Sequence, residues 1–357
     1  MERVYNFAPG PSALPLWVLE KAQQELVCYG DSGMSVMEMS HRSAMYQQIY
    51  DDAVARLREL MHIPQEYAVL FMHGGATMEF AAVPLNLRVN GKADYIDSGN
   101  FAHVAAVEAE KYLDVHIVAS SREDTYTSIP DWRGKLDPQA DSVHITTNNT
   151  IYGTRYVELP QTGHVPLVAD MSSNILSEPY DITKFGAVYA GAQKNIGPSG
   201  VAVLVVRRDL LGHAAANCPK LLDWALQDKN GSMINTPNTW AIYLCGLCLR
   251  WLQEQGGVEA IERVNIEKAK LLYDYLDESR LFHPTAQRAF RSRMNVTFVT
   301  GDQAMDALFV KEAKEKGLVN LKGHRSVGGM RASIYNAMPV EGVQALVAFM
   351  KEFEAAH

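Results

Sequence analysis

The 357-residue sequence has few cysteines and no long apolar run, and both absences restrict its class. The four cysteines are too few for a disulfide framework in a chain of this length. Cys245 and Cys248 form a single C-x2-C without a second Cys or His pair nearby, which is more typical of a buried helix face than of zinc, so no metal is expected. No stretch approaches the ~20 apolar residues of a membrane span, so no membrane partner is expected.

Positive charge is also in short supply. The chain has 33 lysines and arginines against 41 aspartates and glutamates, a formal net charge of -8. Such a chain is a poor match for nucleic acid or anionic membranes, so neither is expected as a partner. Residues 1–7 contain no apolar stretch long enough for a signal peptide, and a cytoplasmic location is therefore expected.

Two common nucleotide-binding motifs are missing as well. The sequence has neither the GxGxxG of nicotinamide-binding folds nor the GxxxxGK[ST] of P-loop enzymes. What remains is the composition of a globular protein, with 47% apolar and 21% charged residues, and a length that favours two domains.

From residue 67 to residue 207, short apolar runs alternate with longer stretches of helical character. The runs are continuously apolar, as in strands buried on both faces, so we predict a mostly parallel sheet covered by helices. The predicted strands lie at 68–72, 95–96, 116–118, 143–145, 166–168, 187–189 and 201–206, and the helices between them at 78–87 and 101–113.

Beyond this region the pattern changes, and a smaller α+β domain is predicted after about residue 257. The alternation at 295–299 is typical of a half-exposed antiparallel strand. The other predicted elements are a helix that starts at Thr236–Pro237 and ends at Gly256, a helix over 258–276 and a helix over 339–355.

Two charged residues stand at the ends of successive apolar runs. Asp170 ends the run at 165–169 and Lys194 follows the run at 187–190, so both can reach one crevice at the carboxyl ends of a parallel sheet. A lysine in an apolar site loses its proton more easily and can form a Schiff base, and pyridoxal phosphate needs such a lysine with an acidic partner. An ordinary salt bridge is the more common reason for a lysine at a strand end, so other segments must decide.

Two loops beside these strands can contact a polar or anionic group. Residues 73–77, His-Gly-Gly-Ala-Thr, lie between a predicted strand and a predicted helix, where backbone N–H groups can bind a phosphate. Residues 146–150, Thr-Thr-Asn-Asn-Thr, follow another strand and carry polar side chains. Both compositions are also ordinary for turns, so neither loop decides the function by itself.

His41–Arg42 and His324–Arg325 are two separate His-Arg pairs, and Arg331 follows the second pair. Arginine binds carboxylates and phosphates through two N–H groups at once, which suits a dianionic substrate. A single pair is more often a solvated surface charge. Two pairs and a further arginine in an acidic chain indicate a bound anion.

Taken together, these segments resemble the phosphoserine aminotransferases, a class-V family of fold-type I enzymes that depend on pyridoxal 5'-phosphate. The resemblance runs nearly end to end. It is carried by the pairs at 6–7, 10–11 and 14–15, and by MSHRS (39–43), HGG (73–75), FAAVPLN (80–86), NTIYG (149–153), QKNIGP (193–198), NTP (235–237), LKGHR (321–325) and GGMRASIYN (328–336).

The resemblance implies an α/β fold with a large cofactor-binding domain over 16–257, built on a mostly parallel seven-stranded sheet. Residues 1–15 and 258–357 would form the smaller α+β domain. The implied activity is the reversible transamination of 3-phosphohydroxypyruvate with L-glutamate, which gives O-phospho-L-serine and 2-oxoglutarate and belongs to serine biosynthesis. Activity on 4-phosphohydroxythreonine, in pyridoxine biosynthesis, stays open.

By this resemblance, Lys194 is the catalytic residue that forms the Schiff base with the cofactor and carries the proton at the substrate α-carbon. Asp170 is its catalytic partner, because it keeps the ring nitrogen of the cofactor protonated. The other implied cofactor contacts come from Ala76, Thr77 and Gln193 to the phosphate, from Phe101 and Thr150 to the ring, and from Asn235 and Thr236 of the neighbouring subunit. A homodimer with shared active sites is therefore implied.

The same resemblance implies the substrate contacts. Arg331 would bind the α-carboxylate that both amino-acid substrates share. The distal phosphate of phosphoserine, or the distal carboxylate of glutamate, would be bound by His41, Arg42, His324 and Arg325.

The chain departs from the family pattern at two positions. Phe101 stands where many relatives have a stacking tryptophan, and Thr77 stands where some have arginine, so the affinities are left open. One alternative is an aminotransferase of the same fold that acts on alanine or serine with glyoxylate, which would not need two His-Arg pairs. A cofactor-binding regulator without catalysis would need a DNA-binding appendage, and the acidic chain offers none.

Overall fold

The computed structural model of the protein describes residues 3–357. In that range, the strands are β1 (Tyr5–Asn6), β2 (Tyr67–His73), β3 (Lys92–Asp97), β4 (Asp114–Ser120), β5 (Val143–Thr146), β6 (Asn148–Asn149), β7 (Thr154–Arg155), β8 (Leu167–Asp170), β9 (Ala187–Gly191), β10 (Val201–Arg207), β11 (His283–Pro284), β12 (Asn295–Val299), β13 (Leu318–Val319) and β14 (Met330–Ser333). The helices are α1 (Leu16–Gln24), α2 (Ala44–Leu60), α3 (Ala76–Leu87), α4 (Asn100–Ala109), α5 (Trp224–Lys229), α6 (Thr239–Glu254), α7 (Gly257–Glu278), α8 (Gln303–Glu315) and α9 (Val340–Ala356).

A seven-stranded sheet forms the centre of the fold, in the order β2-β10-β9-β8-β5-β3-β4. Strand β10 is antiparallel to both of its neighbours, and the other pairs are parallel. Every residue of β5, β8 and β9 is buried, because apolar clusters cover the sheet on both faces. The predicted mostly parallel seven-stranded sheet is confirmed.

Strand β4 does not follow the prediction that the apolar runs are buried on both faces. It lies at the edge of the sheet, and its side chains at His116 and Ile117 are exposed, whereas Val118 is buried. An edge strand has a neighbour on one side only, and less of the covering layer reaches it. The apolar run therefore predicted the strand correctly and its burial wrongly.

The start of α6 also differs from the prediction. The helix begins at Thr239, and the Asn238 side chain caps it by accepting a hydrogen bond from the Ala241 N–H at 3.1 Å. The expected start at Thr236–Pro237 is therefore wrong, because Asn238 supplies the capping oxygen two residues later. Farther along this helix, Cys245 and Cys248 are buried, which confirms that their C-x2-C belongs to a packed helix face.

A second apolar core is built mainly from the C-terminal part of the chain. It joins Phe7 to the apolar faces of α7, α8 and α9 and to the antiparallel sheet β11-β12-β14. Helix α7 contributes to both cores, since Ile261 packs in the first and Leu272 in the second. We therefore propose a division into one domain of residues 16–257 and a second domain of residues 1–15 and 258–357. The boundary between them lies near the start of α7.

Strand β12 is buried where a half-exposed strand was predicted. Asn295 and Thr297, the polar members of its alternating pattern, are 0% and 3% exposed. Their side chains bond to Asn148 and to the Tyr152 carbonyl of the large domain, so the polar face of the strand meets protein instead of water. The alternating pattern identified the polar face of β12 correctly, but whether that face is buried or exposed depends on tertiary packing.

Among residues 3–357, no helix combines the length and the apolar character that a membrane span needs.

Glu79, in the first turns of α3, is a buried carboxyl group near the Trp224 side chain, which lowers its pKa by less than burial raises it. It is 0% exposed, and neither carboxylate oxygen has a hydrogen-bond partner among the described residues. Burial raises the pKa of Glu79 to about 7, from an ordinary value of 4.5. The folded protein therefore holds this proton to a higher pH than the unfolded chain does.

We expect the stability of Glu79→Gln relative to the wild type to be greater at pH 8 than at pH 5. Because the folded-state pKa is raised, the wild type loses stability as the pH rises from about 4.5 to about 7, by up to about 3 kcal/mol. Glutamine does not titrate, so the difference in unfolding free energy between variant and wild type should grow by about 2–3 kcal/mol across this interval. Urea unfolding at both pH values measures it. Glu20→Gln, an exposed control in α1, should show no such change.

Candidate active site

A cavity of about 240 Å³ opens at the carboxyl ends of β5, β8 and β9. Strands that run parallel end at the same edge of the sheet, which is why residues far apart in sequence meet there. Seven of the nine predicted cofactor-binding residues line this cavity: Ala76, Thr77, Phe101, Thr150, Asp170, Gln193 and Lys194.

Lys194 follows β9 and is half-buried. Its Nζ donates to Thr150 Oγ1 at 2.8 Å and lies 5.6 Å from the centroid of the Phe101 ring. Burial lowers the pKa of Lys194 to about 8; Asp170 opposes this shift, and the positive charge of Arg331 adds to it. The amine therefore loses its proton at a lower pH than an ordinary lysine does, and it can act more readily as a nucleophile or a base.

Asp170 is the last residue of β8 and is 4% exposed. Its Oδ1 accepts a hydrogen bond from the backbone N–H of Ser172 at 2.8 Å. Burial raises the pKa of Asp170, while the positive charge of Lys194 and the Ser172 hydrogen bonds oppose the shift. A cationic N–H placed beside this carboxylate would compensate for its burial, so the group is suited to hold a protonated ring nitrogen.

The start of α3 forms another wall of the cavity. Gly75 occupies its N-cap position and has no side chain to bond the first N–H groups of the helix. A Cβ atom on Gly191 would stand 3.5 Å from the Ala76 nitrogen, so the glycine keeps the space in front of that N–H open. An uncapped helix start with open space before it favours a phosphate.

Arg331 lies on β14 of the second core, beside the cavity. It is 6% exposed, its Nη1 donates to the Thr150 carbonyl at 3.3 Å, and its Nε has no partner among residues 3–357. His324 lies on the segment before β14. Burial and the charges of Arg331 and Arg325 together lower its pKa. Arg331 and Arg325 therefore supply two guanidinium groups close to one imidazole, and such a set can bind an anionic substrate.

The remaining predicted residues do not line the cavity within the described chain. His41 and Arg42 follow a 3₁₀ helix over Val36–Glu38, and the Thr239 hydroxyl donates to the Val36 carbonyl at 3.3 Å. This contact brings the segment to the start of α6, just after Asn235 and Thr236. The four residues therefore belong to one surface region, and none of them lines the cavity of the same chain.

Several cavity residues were missed from the sequence. Ser172 bonds Asp170 and also accepts from the Gly191 N–H at 3.0 Å through its hydroxyl. Thr146 and Asn148 line the cavity, and the Thr146 hydroxyl is buried without a partner among the described residues. The signals were present in the Asp-x-Ser spacing of an Asx turn and in the polar segment 146–150, from which only one residue was assigned.

Comparison with known proteins identifies the family. The model of the family Aminotransferase class-V matches residues 4–346. A phosphoserine aminotransferase of Bacillus cereus is 56% identical over 356 residues, covering 99% of both chains. One of Listeria innocua is 52% identical and covers 100% of this chain and 98% of its own.

Solved structures agree with the sequence relatives. The phosphoserine aminotransferase of Bacillus circulans subsp. alkalophilus has a TM-score of 0.97 at 45% identity, covering 100% of this chain and 99% of its own. The enzyme of Trichomonas vaginalis, with pyridoxal phosphate bound, has a TM-score of 0.94 at 38% identity, covering 98% and 100%. The expected α/β fold of these transferases is confirmed. The chain therefore belongs to the class-V aminotransferase family and, within it, to the phosphoserine aminotransferases.

Proposed function

We propose that the protein catalyses the reversible transfer of an amino group between L-glutamate and 3-phosphohydroxypyruvate, with O-phospho-L-serine and 2-oxoglutarate as products. The observation that carries the proposal is the meeting of Lys194 and Asp170 in one cavity beside Arg331, with His324 and Arg325 near that arginine. Such an arrangement supplies an activated amine, a carboxylate and binding groups for an anionic amino acid.

Pyridoxal phosphate fits the residues of the cavity. The uncapped start of α3, with Thr77 and Gln193, would hold the phosphate, and Asp170 would hold the ring nitrogen. Phe101 and Thr150 would flank the ring, and Lys194 would attach covalently to the cofactor. The unpartnered Thr146 hydroxyl supports the fit, since a polar ligand would satisfy it. When bound, the cofactor serves as an electron sink for negative charge at the substrate α-carbon.

The side chains of the protein then have distinct tasks. Lys194 Nζ, with its lowered pKa, takes the proton from the substrate α-carbon and returns it, and Thr150 holds the amine in place. Asp170 stays ionised beside a cationic nitrogen and keeps that nitrogen protonated. Arg331 binds the α-carboxylate, because it is buried and has unused N–H donors near the amine.

A homodimer follows as part of the proposal. Asn235 and Thr236 are exposed and do not line the cavity of their own chain, and His41 and Arg42 belong to the same surface region. We infer that this region completes the cavity of a second copy, with Asn235 and Thr236 at the cofactor phosphate. His41 and Arg42 would join His324 and Arg325 at the distal phosphate of the substrate.

The cytoplasmic location stays a proposal, and the free thiols of Cys28, Cys218, Cys245 and Cys248 are in keeping with a reducing compartment.

Lys194→Ala should lower kcat by at least about 100-fold, because the variant loses both the covalent attachment and the proton carrier. Circular dichroism should show an intact fold. Lys184→Ala, which removes an exposed lysine before the opposite end of β9, serves as the control and should keep its activity. Wild-type rates from a folded Lys194→Ala protein, without added amines, would rule out the assigned role.

Arg42→Ala and Arg331→Ala should differ in their effects on the two amino-acid substrates. Phosphoserine carries roughly two negative charges on its distal group and glutamate carries about one, so Arg42→Ala should lower kcat/KM for phosphoserine by at least about tenfold and less for glutamate. Arg331→Ala should lower both alike, because the α-carboxylate is common. Steady-state kinetics with each substrate test this, and equal losses in Arg42→Ala would mean that Arg42 does not contact the phosphate.

Shared sites also predict complementation between two defective chains. A mixed dimer of Lys194→Ala and Arg42→Ala chains has one site with both defects and one site with neither. Co-expression of the two variants should therefore restore phosphoserine turnover well above the sum of the separate variants. If Arg42 served its own chain, every site would carry one defect and no restoration would occur.

A further inference from the structure

We propose that Asn295 is a positioning residue, which acts through its hydrogen bonds to hold Arg331 over the cavity and thereby supports binding of the substrate α-carboxylate. The inference rests on the proposed function, in which Arg331 binds that carboxylate. Asn295 itself would touch neither substrate nor cofactor. It is 0% exposed and lies on β12, the strand next to β14 in the smaller sheet.

The register of these two strands puts Asn295 and Arg331 on one face. Asn295 lies opposite Ser333, and Thr297 lies opposite Arg331. Side chains two residues apart on a strand share a face, as do directly opposed pairs, so all four side chains project from the same side of the sheet. The Thr297 hydroxyl donates to the Tyr152 carbonyl at 3.1 Å, which shows that this side meets the large domain.

The amide group of Asn295 uses both of its donors and its acceptor. Its Nδ2 donates to Ser333 Oγ at 3.0 Å and to the Tyr335 hydroxyl at 3.1 Å, on and just after β14. Its Oδ1 accepts from Asn148 Nδ2 at 2.8 Å. No other side chain of this size offers two donors and an acceptor in this geometry, so the amide fixes β14 relative to Asn148.

Asn148 connects this arrangement to the floor of the cavity. It lines the cavity together with Ser173, and its Nδ2 also donates to Ser173 Oγ at 2.8 Å. Its Oδ1 accepts from Ser292 Oγ at 2.6 Å, so its own orientation is fixed as well. A continuous chain of buried hydrogen bonds therefore runs from the cavity floor through Asn295 to the strand that carries Arg331.

Arg331 needs such support because its own contacts are few. Its side chain makes one hydrogen bond to the large domain, at 3.3 Å to the Thr150 carbonyl, and Nε has no partner among the described residues. The donors left over are those that a carboxylate would use. Their position must then come from the backbone of β14, and an error of about 1 Å in such a group can cost about 100-fold in rate.

Asn295→Ala in the cofactor-loaded enzyme is the test. We expect KM to rise by about tenfold for glutamate and for O-phosphoserine by the same factor, with a smaller change in kcat, because both substrates present the same carboxylate to Arg331. In an Arg331→Ala background, Asn295→Ala should raise KM no further, since residues that act through one another are not additive.

Asn86→Ala is the matched control. Asn86 is 2% exposed, donates to the Ala82 and Leu222 carbonyls at 2.8 Å each and accepts from the Trp224 N–H at 3.0 Å. It therefore also loses three buried hydrogen bonds, but it does not line the cavity. We expect a lower Tm with an unchanged KM.

Ser333→Ala provides a milder variant if Asn295→Ala does not fold, and it should raise both KM values by a smaller factor. The proposal is overturned if a folded Asn295→Ala or Ser333→Ala enzyme behaves like Asn86→Ala, or if Asn295→Ala raises KM further in the Arg331→Ala background. Turnover of O-phosphoserine by the wild type tests the proposed function separately. The ratio of variant to wild-type KM for glutamate tests Asn295, so the two failures are distinguishable.

Discussion

The parallel pairing of β8 with β9 in the middle of a covered sheet is the constraint on which the site depends. It ends Asp170 and the strand before Lys194 at the same edge, where Asp170 is buried and Lys194 is half-buried. Exclusion of water lowers the pKa of Lys194 and raises that of Asp170, so both groups are poorly stabilised without a ligand between them. The packing of the central strands therefore makes the Lys194 amine more reactive by lowering its pKa.

The smaller sheet serves the same cavity from the other side. Its large-domain face carries asparagine, threonine, serine and arginine, and Asn295 and Thr297 bond across the junction to the Asn148 side chain and the Tyr152 carbonyl. Buried polar networks tolerate little displacement, because an unpaired donor or acceptor costs about 1–3 kcal/mol. A hydrogen-bonded strand therefore fixes the position of Arg331 more strictly than apolar packing alone would.

Much of this arrangement could be predicted from the order of residues along the chain, and the exceptions share a cause. Continuous apolar runs located the central strands, and the charged residues that follow them located Asp170 and Lys194. The exposure of Ile117 depends on which strand lies at the edge, and the burial of Asn295 depends on what packs against it, so neither is written in local sequence. Ser172 and Asn148 contribute through contacts between loops, and the proposed role of His41 and Arg42 involves a second chain, so their surroundings could not be derived from spacing.

Helix α7 has a mechanical consequence. It is 22 residues long, or ~33 Å, and packs one end in each apolar core without a break. A continuous helix that is packed at both ends is a stiffer connection than a loop. The connection through α7 therefore contains no flexible hinge. A relative displacement of the two cores would have to be a small rotation or translation along this helix.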